Sequence, residues 1–375
     1  MKTKQLIYNG GWDFSSMPSD PADLILAFGQ RQQLTAGGYK ALRDANPNST
    51  ILAGSTSGEI SNSAVLDENI VATAVWFDKV KTVSNSVQIE DHASSKEAGK
   101  ALVDKFDRAD LKFLFVISDG QKVNGSELVE GMNEAVNNEI PISGGLAGDG
   151  ADFQQTVVGL DDHLGEGLIA AIGFYGDSLV YGYGSKGGWS SFGPSRTITK
   201  SKDNVLYEID GTSALDLYKK YLGEYAEQLP GSALLFPLAL RADGPDGEEV
   251  VRTILTIDQE EKSMTFAGNM PEGSIVRLMK ANLDHLVDAA FDAVEHSVSD
   301  EVIQGDQLSV LISCVGRKLI FGNRIDEEIE AARETLGNET VISGFYSYGE
   351  ISPFQALNSC SLHNQTMTVT TIAEK

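Results

Sequence analysis

Hydrophobic positions along this chain come in short runs, and the runs recur in one order. LILAFG at 24–29 is an unbroken apolar run with the length of a strand buried on both faces. LTAGGYKALRDANP follows, with Tyr39 and Leu42 at helical spacing and Pro47 as the stop. ILAGSTSGEI returns as strand and turn, and VATAVWF follows the turn residues Asp67, Glu68 and Asn69. The same order predicts a second unit: FLFVISDG, a helix with Ser126 in the N-cap position and Glu127 and Glu130 in its first turn, IPISGGLAGDG, then GLIAAIGFYG. A third unit runs from LSVLISC through the helix IDEEIEAARETLG, closed by a glycine, to VISGFYSYGEIS and TMTVTTI.

Each unit carries the same turn, an apolar run ending in a glycine that an acid follows at once: Glu59, Asp149 and Glu350. A fold built from one reused supersecondary unit is read from the unit. A different segment, roughly 178–306, separates units two and three. It holds the helix ALDLYKKYLGEYAEQL before Pro230, the strand-like runs ALLFPLAL, VVRTILTID and SMTFAG, the turn RADGPDGEE, and the helix LDHLVDAAFDAVEHS. The pattern predicts an α/β fold of repeated strand–helix–strand–hairpin units, with mixed sheets flanked by helices. A chain of 375 residues exceeds one comfortable core, so two domains are expected, 1–215 and 216–375.

Composition narrows the classes. An apolar content of 41% supports packed cores, and a net charge of −25 argues against nucleic acid and against anionic membrane surfaces. The start lacks the apolar core of a signal peptide, and no run reaches the roughly 20 apolar residues that span a bilayer. Two cysteines, Cys314 and Cys360, cannot build a disulfide framework, so a reducing, cytoplasmic home is expected.

The repeated turn could serve as an anion nest, or its acid could receive an ammonium or a metal; an acid beside a tight turn also commonly accepts backbone N–H bonds. No turn has the GK[ST] ending of a phosphate loop, and there is no G-x-S-x-G, H-E-x-x-H or C-x-x-C. Enzymatic activity is therefore not expected. Of five histidines, His92, His285 and His296 read as surface residues, whereas His163 and His363 each lie in the turn before the last strand of a unit. Cys360, His363 and Met367 put soft and imidazole ligands in one short stretch.

Longer phrases carry a resemblance. GGWSSFGPSRTIT, LYEIDGTSALDLYKKYLGE, TFAGNMPEGSIVRLM, LISCVGRKLIFGNR, YSYGEISPF and LHNQTMT stand in the order found in the FIST-domain proteins, a bacterial sensory family that the chain resembles over nearly its whole length. The resemblance implies sensing rather than catalysis. Because the chain carries no output domain, it implies action in trans on a sensor histidine kinase or another signalling protein, with a homodimer also admitted. One stand-alone branch resembles haem proteins that sense nitric oxide. On that reading His363 is the axial ligand, Cys360 a weaker one, and Trp189, Phe192 and Tyr346 wall the pocket. The alternative is a haem-free sensor of a small molecule such as an amino acid. Arg252, Arg277 or Arg317 would then take its carboxylate, and Glu59, Asp149 or Glu350 its ammonium.

Overall fold

A computed structural model of the protein describes residues 1–241, 249–298, 303, 305–353 and 359–375. The first unit contributes β1 (Lys2–Tyr8), β2 (Leu24–Gly29), α1 (Arg31–Gln33), α2 (Tyr39–Ala45), β3 (Thr50–Ser55), the hairpin β4 (Glu59–Ser61) and β5 (Ala64–Leu66), and β6 (Ile70–Trp76). The second contributes β7 (Lys81–Gln88), α3 (Ser95–Asp104), β8 (Leu111–Ser118), α4 (Gly125–Ala135), β9 (Ile142–Leu146), the hairpin β10 (Val158–Leu160) and β11 (His163–Gly165), and β12 (Leu168–Tyr175).

The third unit starts earlier than the pattern predicts. Its first strand is β13 (Leu179–Lys186), which pairs with the last strand of the chain. An inserted module follows: β14 (Ser190–Lys202), β15 (Val205–Ile209), β16 (Thr212–Ser213), α5 (Ala214–Leu222), β17 (Leu238–Arg241), β18 (Val250–Arg252), β19 (Ile254–Asp258), β20 (Ser263–Phe266) and β21 (Ile275–Lys280). The unit then resumes with α6 (Leu283–Ser297), β22 (Gln307–Cys314), α7 (Val315–Phe321), α8 (Asp326–Leu336), β23 (Thr340–Ser347), the hairpin β24 (Gly349–Pro353) and β25 (Cys360–His363), and β26 (Met367–Glu374).

Three six-stranded sheets share one order: first strand, last strand, second, third, then a guest hairpin. The orders are β1-β6-β2-β3-β10-β11, β7-β12-β8-β9-β24-β25 and β13-β26-β22-β23-β4-β5. Each unit therefore hands its hairpin to another unit's sheet, and the exchange runs round all three. The second and third strands of each unit are parallel and the other pairs antiparallel, which confirms the mixed α/β fold.

Strand periodicity explains the unbroken apolar runs. Leu24, Leu26 and Phe28, Phe113, Phe115 and Ile117, and Leu308, Val310 and Ile312 all enter one central core shared by the three sheets. The alternate residues Ile25 and Ala27, Leu114 and Val116, and Leu311 face outward into separate clusters beneath the helices. Gly144 and Gly344 have φ of 144° and 159°, and a Cβ on either would lie 1.8 Å from the carbonyl oxygen of Val116 or Leu311.

Three local expectations change. Asn124, not Ser126, caps α4: its Oδ1 accepts from the N–H groups of Ser126 and Glu127 at 3.0 and 3.3 Å. The helix expected over 214–229 stops at Leu222, where Gly223 takes φ 59° and a tighter 3₁₀ stretch follows. VVRTILTID divides into β18 and β19, and of the turn RADGPDGEE residues 242–248 lie outside the described residues. Among the described residues, no helix is long and apolar enough to cross a membrane.

Candidate functional site

The three glycine–acid turns are the crossings where hairpins change sheets. Ser57 N–H donates to Tyr346 O at 2.8 Å, Gly148 N–H to Ser55 O at 2.8 Å, and Tyr348 N–H to Leu146 O at 3.2 Å. Two of the acids repeat one bond: the Thr56 hydroxyl donates to Glu59 at 2.5 Å and the Ser347 hydroxyl to Glu350 at 2.7 Å. Glu350 also accepts from the Thr366 hydroxyl and N–H at 2.8 and 3.2 Å, whereas among the described residues Oε2 of Glu59 has no close hydrogen-bond partner. Burial pushes the pKa of both up to about 8, against the pull of those hydroxyls. Held neutral near pH 7, neither carboxyl offers the negative charge that an ammonium ligand needs. Asp149 departs from the pattern and accepts from the Tyr348 hydroxyl and from the N–H groups of Gln154 and Gln155 at 2.9 and 2.7 Å. All three acids are thus engaged in fixing the crossings.

The three arginines separate. Arg317 is fully buried and paired with Glu328, with Nε and Nη2 3.0 and 2.7 Å from its Oε2. Its other bonds go to the carbonyls of Gly187 and Leu286, both at 2.8 Å. The hydroxyls of Tyr346 and Ser313 donate to the same carboxylate at 2.7 and 3.1 Å, so Tyr346 belongs to this internal network and walls no open space. Arg277 is exposed, with Nε on Gly193 O at 2.9 Å, and borders an open cavity of about 310 Å³ together with Ser195, Arg241 and Glu249. Arg252 is buried where the inserted module meets β25: Nη1 donates to Leu362 O at 2.9 Å.

His363 and Cys360 do not converge. They lie three apart on a strand, so their side chains point to opposite faces. Cys360 packs beneath α3 and α4 with its Sγ 3.2 Å from Asn133 Oδ1, and burial pushes its thiol up to about 12. His363 is 5% exposed with Nε2 3.1 Å from Ser352 O, and burial, with the nearby charge of Arg252, lowers its pKa to about 4. Among the described residues no cluster of three His, Cys, Asp or Glu could hold a metal. Trp189 donates from its indole to Gln365 O at 2.7 Å, while Phe192 packs edge-on to Phe236 inside the inserted module. Phe192, Tyr346 and Trp189 pack in three separate clusters.

Contacts that the sequence pattern did not reveal matter most here. Glu328 is eleven residues from Arg317 but on another helix, and Asn269 and Ser126 meet only in space, through the Asn269 N–H at 3.2 Å from Ser126 Oγ. The one signal available for Glu328 was its place beside Ile329 and Ala332 on the buried stripe of α8.

Comparison with known proteins places this arrangement. A FIST N domain matches residues 23–212 and a FIST C domain residues 214–353. An uncharacterized protein of Methanocaldococcus jannaschii is 22% identical over 319 residues, which is 77% of this chain and 59% of that protein. The chain thus spans less than two thirds of that relative. A crystal structure of cyanuric acid hydrolase from A. caulinodans aligns with 79% of this chain and 99% of its own, at a TM-score of 0.20 and 9% identity. With both domains matched across most of its length, the chain belongs to the FIST family, whose domains are sensory modules of signal transduction that bind small ligands.

Proposed function

We propose that this protein senses a small ligand at the seam between its inserted module and its three-sheet body, and passes the signal to a separate histidine kinase. The observation that carries the reading is the seam itself, which is closed by single polar bonds rather than by a shared core. Trp189 reaches Gln365 O, Arg252 reaches Leu362 O, and the Asn124 amide donates to Asn269 Oδ1 at 3.1 Å. Gln365 Oε1 beside the Trp189 bond, and Asn364 Oδ1 next along the chain, are buried without partners among the described residues. Buried polar groups left unsatisfied are costly, so a ligand that satisfies them has leverage on how the module sits. The kinase partner rests on the likeness to the stand-alone sensory branch.

Haem is the second reading, favoured by one observation: the buried ring of His363 is neutral at pH 7, the state an iron ligand needs. The fit is poor as the chain stands. Nε2 is engaged by Ser352 O, the ring is walled in, and Cys360 faces away. Nitric oxide would be read only through that group.

The test is thermal unfolding of the whole chain against a metabolite panel that includes amino acids, beside an absorbance spectrum after incubation with haemin. A raised midpoint with one ligand, and a changed rate of autophosphorylation of a co-purified kinase, support the sensor. A Soret band lost in His363→Ala would put haem first. A flat response to every compound, haem included, refutes the proposal.

A further inference from the structure

Two arginines lie in the interior, and the contrast between them points to a ligand. Arg317 is matched by Glu328, as the short bonds above record. Arg252, 7% exposed, has no carboxylate partner among the described residues. Its bonds go to carbonyl oxygens only: Nε to Asn269 at 3.4 Å, and Nη1 to Val251 at 3.3 Å and Leu362 at 2.9 Å. Burial alone pushes its pKa down to about 10, with no compensating acid. A guanidinium taken out of water normally keeps a counter-charge.

Beside those carbonyls stand groups with donor capacity to spare. Among the described residues Nη2 of Arg252 makes no hydrogen bond. Ser126 Oγ accepts from Asn269 N–H, and among the described residues its own proton finds no acceptor. The Asn269 amide accepts through Oδ1 from Asn124, and among the described residues its Nδ2 donates to no acceptor. Ser126 stands in the first turn of α4, an eleven-residue helix whose dipole favours negative charge at that end. The groups crowd one spot: a Cβ placed on Gly268 would lie 2.9 Å from Arg252 Nε and 3.0 Å from Ser126 Oγ.

We propose that Arg252 anchors an anion site, and that its occupant is a small carboxylate held by Nη2, the Ser126 hydroxyl and the Asn269 amide. The proposal rests on the small-ligand reading above and gives that ligand a chemical class. One guanidinium matches one negative charge. A phosphate dianion would want a second cation, and the nearest lysine along the chain, Lys122, is already paired with Glu90 and Glu166 at 3.0 and 3.4 Å. The bound anion would join three bodies: the inserted module through Arg252 and Asn269, the second unit through Ser126, and the third unit's hairpin, which Arg252 already touches at Leu362.

The test titrates the full chain with sodium acetate, L-alanine and sodium phosphate, at ionic strength matched with chloride, by calorimetry and thermal unfolding. Acetate or L-alanine should bind and raise the midpoint where chloride does not. Arg252→Gln should weaken binding at least tenfold. Gly268→Ala, which sets a methyl against both Arg252 and Ser126 without removing charge, should weaken it too and carries the test if Arg252→Gln fails to fold. Lys40→Gln on the surface should bind as the parent does. Binding of phosphate without either carboxylate overturns the ligand class. No binding, or binding unchanged in both site variants, overturns the site. A response to haem or a neutral metabolite that survives Arg252→Gln overturns this inference and leaves the sensor reading standing.

Discussion

Raising the pH from neutrality should weaken this protein through two buried carboxyls. Glu59 and Glu350 keep their protons in the folded state up to about pH 8, whereas in the unfolded chain they ionise near 4.5. Between those values the folded state binds the extra proton, so stability falls as pH rises. Each carboxyl's contribution is complete below 4.5 and is lost as the pH climbs through 8. The slope is about 1.4 kcal/mol per pH unit for each group well below its folded pKa and halves there, so the stretch from 6.5 to 8 removes about 1.6 kcal/mol per carboxyl and about 3 for the pair. Over that stretch His363 is neutral in the folded state and, titrating ordinarily near 6.5, loses its remaining charge in the unfolded chain, a small effect common to parent and variant. Glutamine copies the protonated form: its amide oxygen can accept from Thr366 and its amide nitrogen can donate to Ser347, the two partners of Glu350. Urea unfolding followed by tryptophan fluorescence at four pH values would compare the parent with the Glu59→Gln, Glu350→Gln double variant. The difference between the two curves isolates these groups from the general repulsion of a chain with a net charge of −25. Parallel curves, with a constant offset from 6.5 to 8, would refute the reasoning.

Glu328→Gln should cost about 3–5 kcal/mol in chemical denaturation, because it strands the Arg317 guanidinium in the core. Replacing both partners together, Arg317→Met with Glu328→Leu, should cost less than the single change; an equal or larger loss would count against an unpaired charge as the cause. Asn124→Ala should lose about 1 kcal/mol or more through the cap of α4 and its bond to Asn269, and Ser126→Ala less, since it gives up only the Asn269 N–H; an Asn124→Ala loss near zero would count against Asn124 as the cap. Gly344→Ala should lower soluble yield sharply or unfold the chain, since its Cβ would sit 1.8 Å from a strand carbonyl; near-parental stability would show that the parallel pair can shift.

The strands were legible because β2, β8 and β22 are buried on both faces, which leaves unbroken apolar runs that need no knowledge of the rest of the fold. The hairpin exchange was not. Glu59–Ser61 looks like a hairpin in any setting, but its pairing with Phe345 to Ser343 is decided by closure of the whole body. The pattern groups β13 with the inserted segment because the module stands between it and its own unit; only its ladder with β26 places it. The Cys360–His363 pair shows the cost of counting residues without a period: three apart would share a helix face, yet on β25 they part. Arg252 and Arg317 look alike in sequence, and the acid that separates their roles comes from a different helix.

The exchange of hairpins also sets a timetable for synthesis. The hairpin of Glu59–Leu66 leaves the ribosome early, but the strand it pairs with, Thr340–Ser347, follows roughly 280 residues later. At ordinary elongation rates of about 5–20 residues per second, that is about 15–60 s with an unpaired edge on the nascent chain. The first sheet can be completed when the second unit emerges, since its guest strand is Val158–Leu160, whereas the second must await the last of the chain. A nascent-chain arrest series should therefore stay protease-sensitive around residues 59–66 until the final strands are released, and holdase chaperones should find their target there.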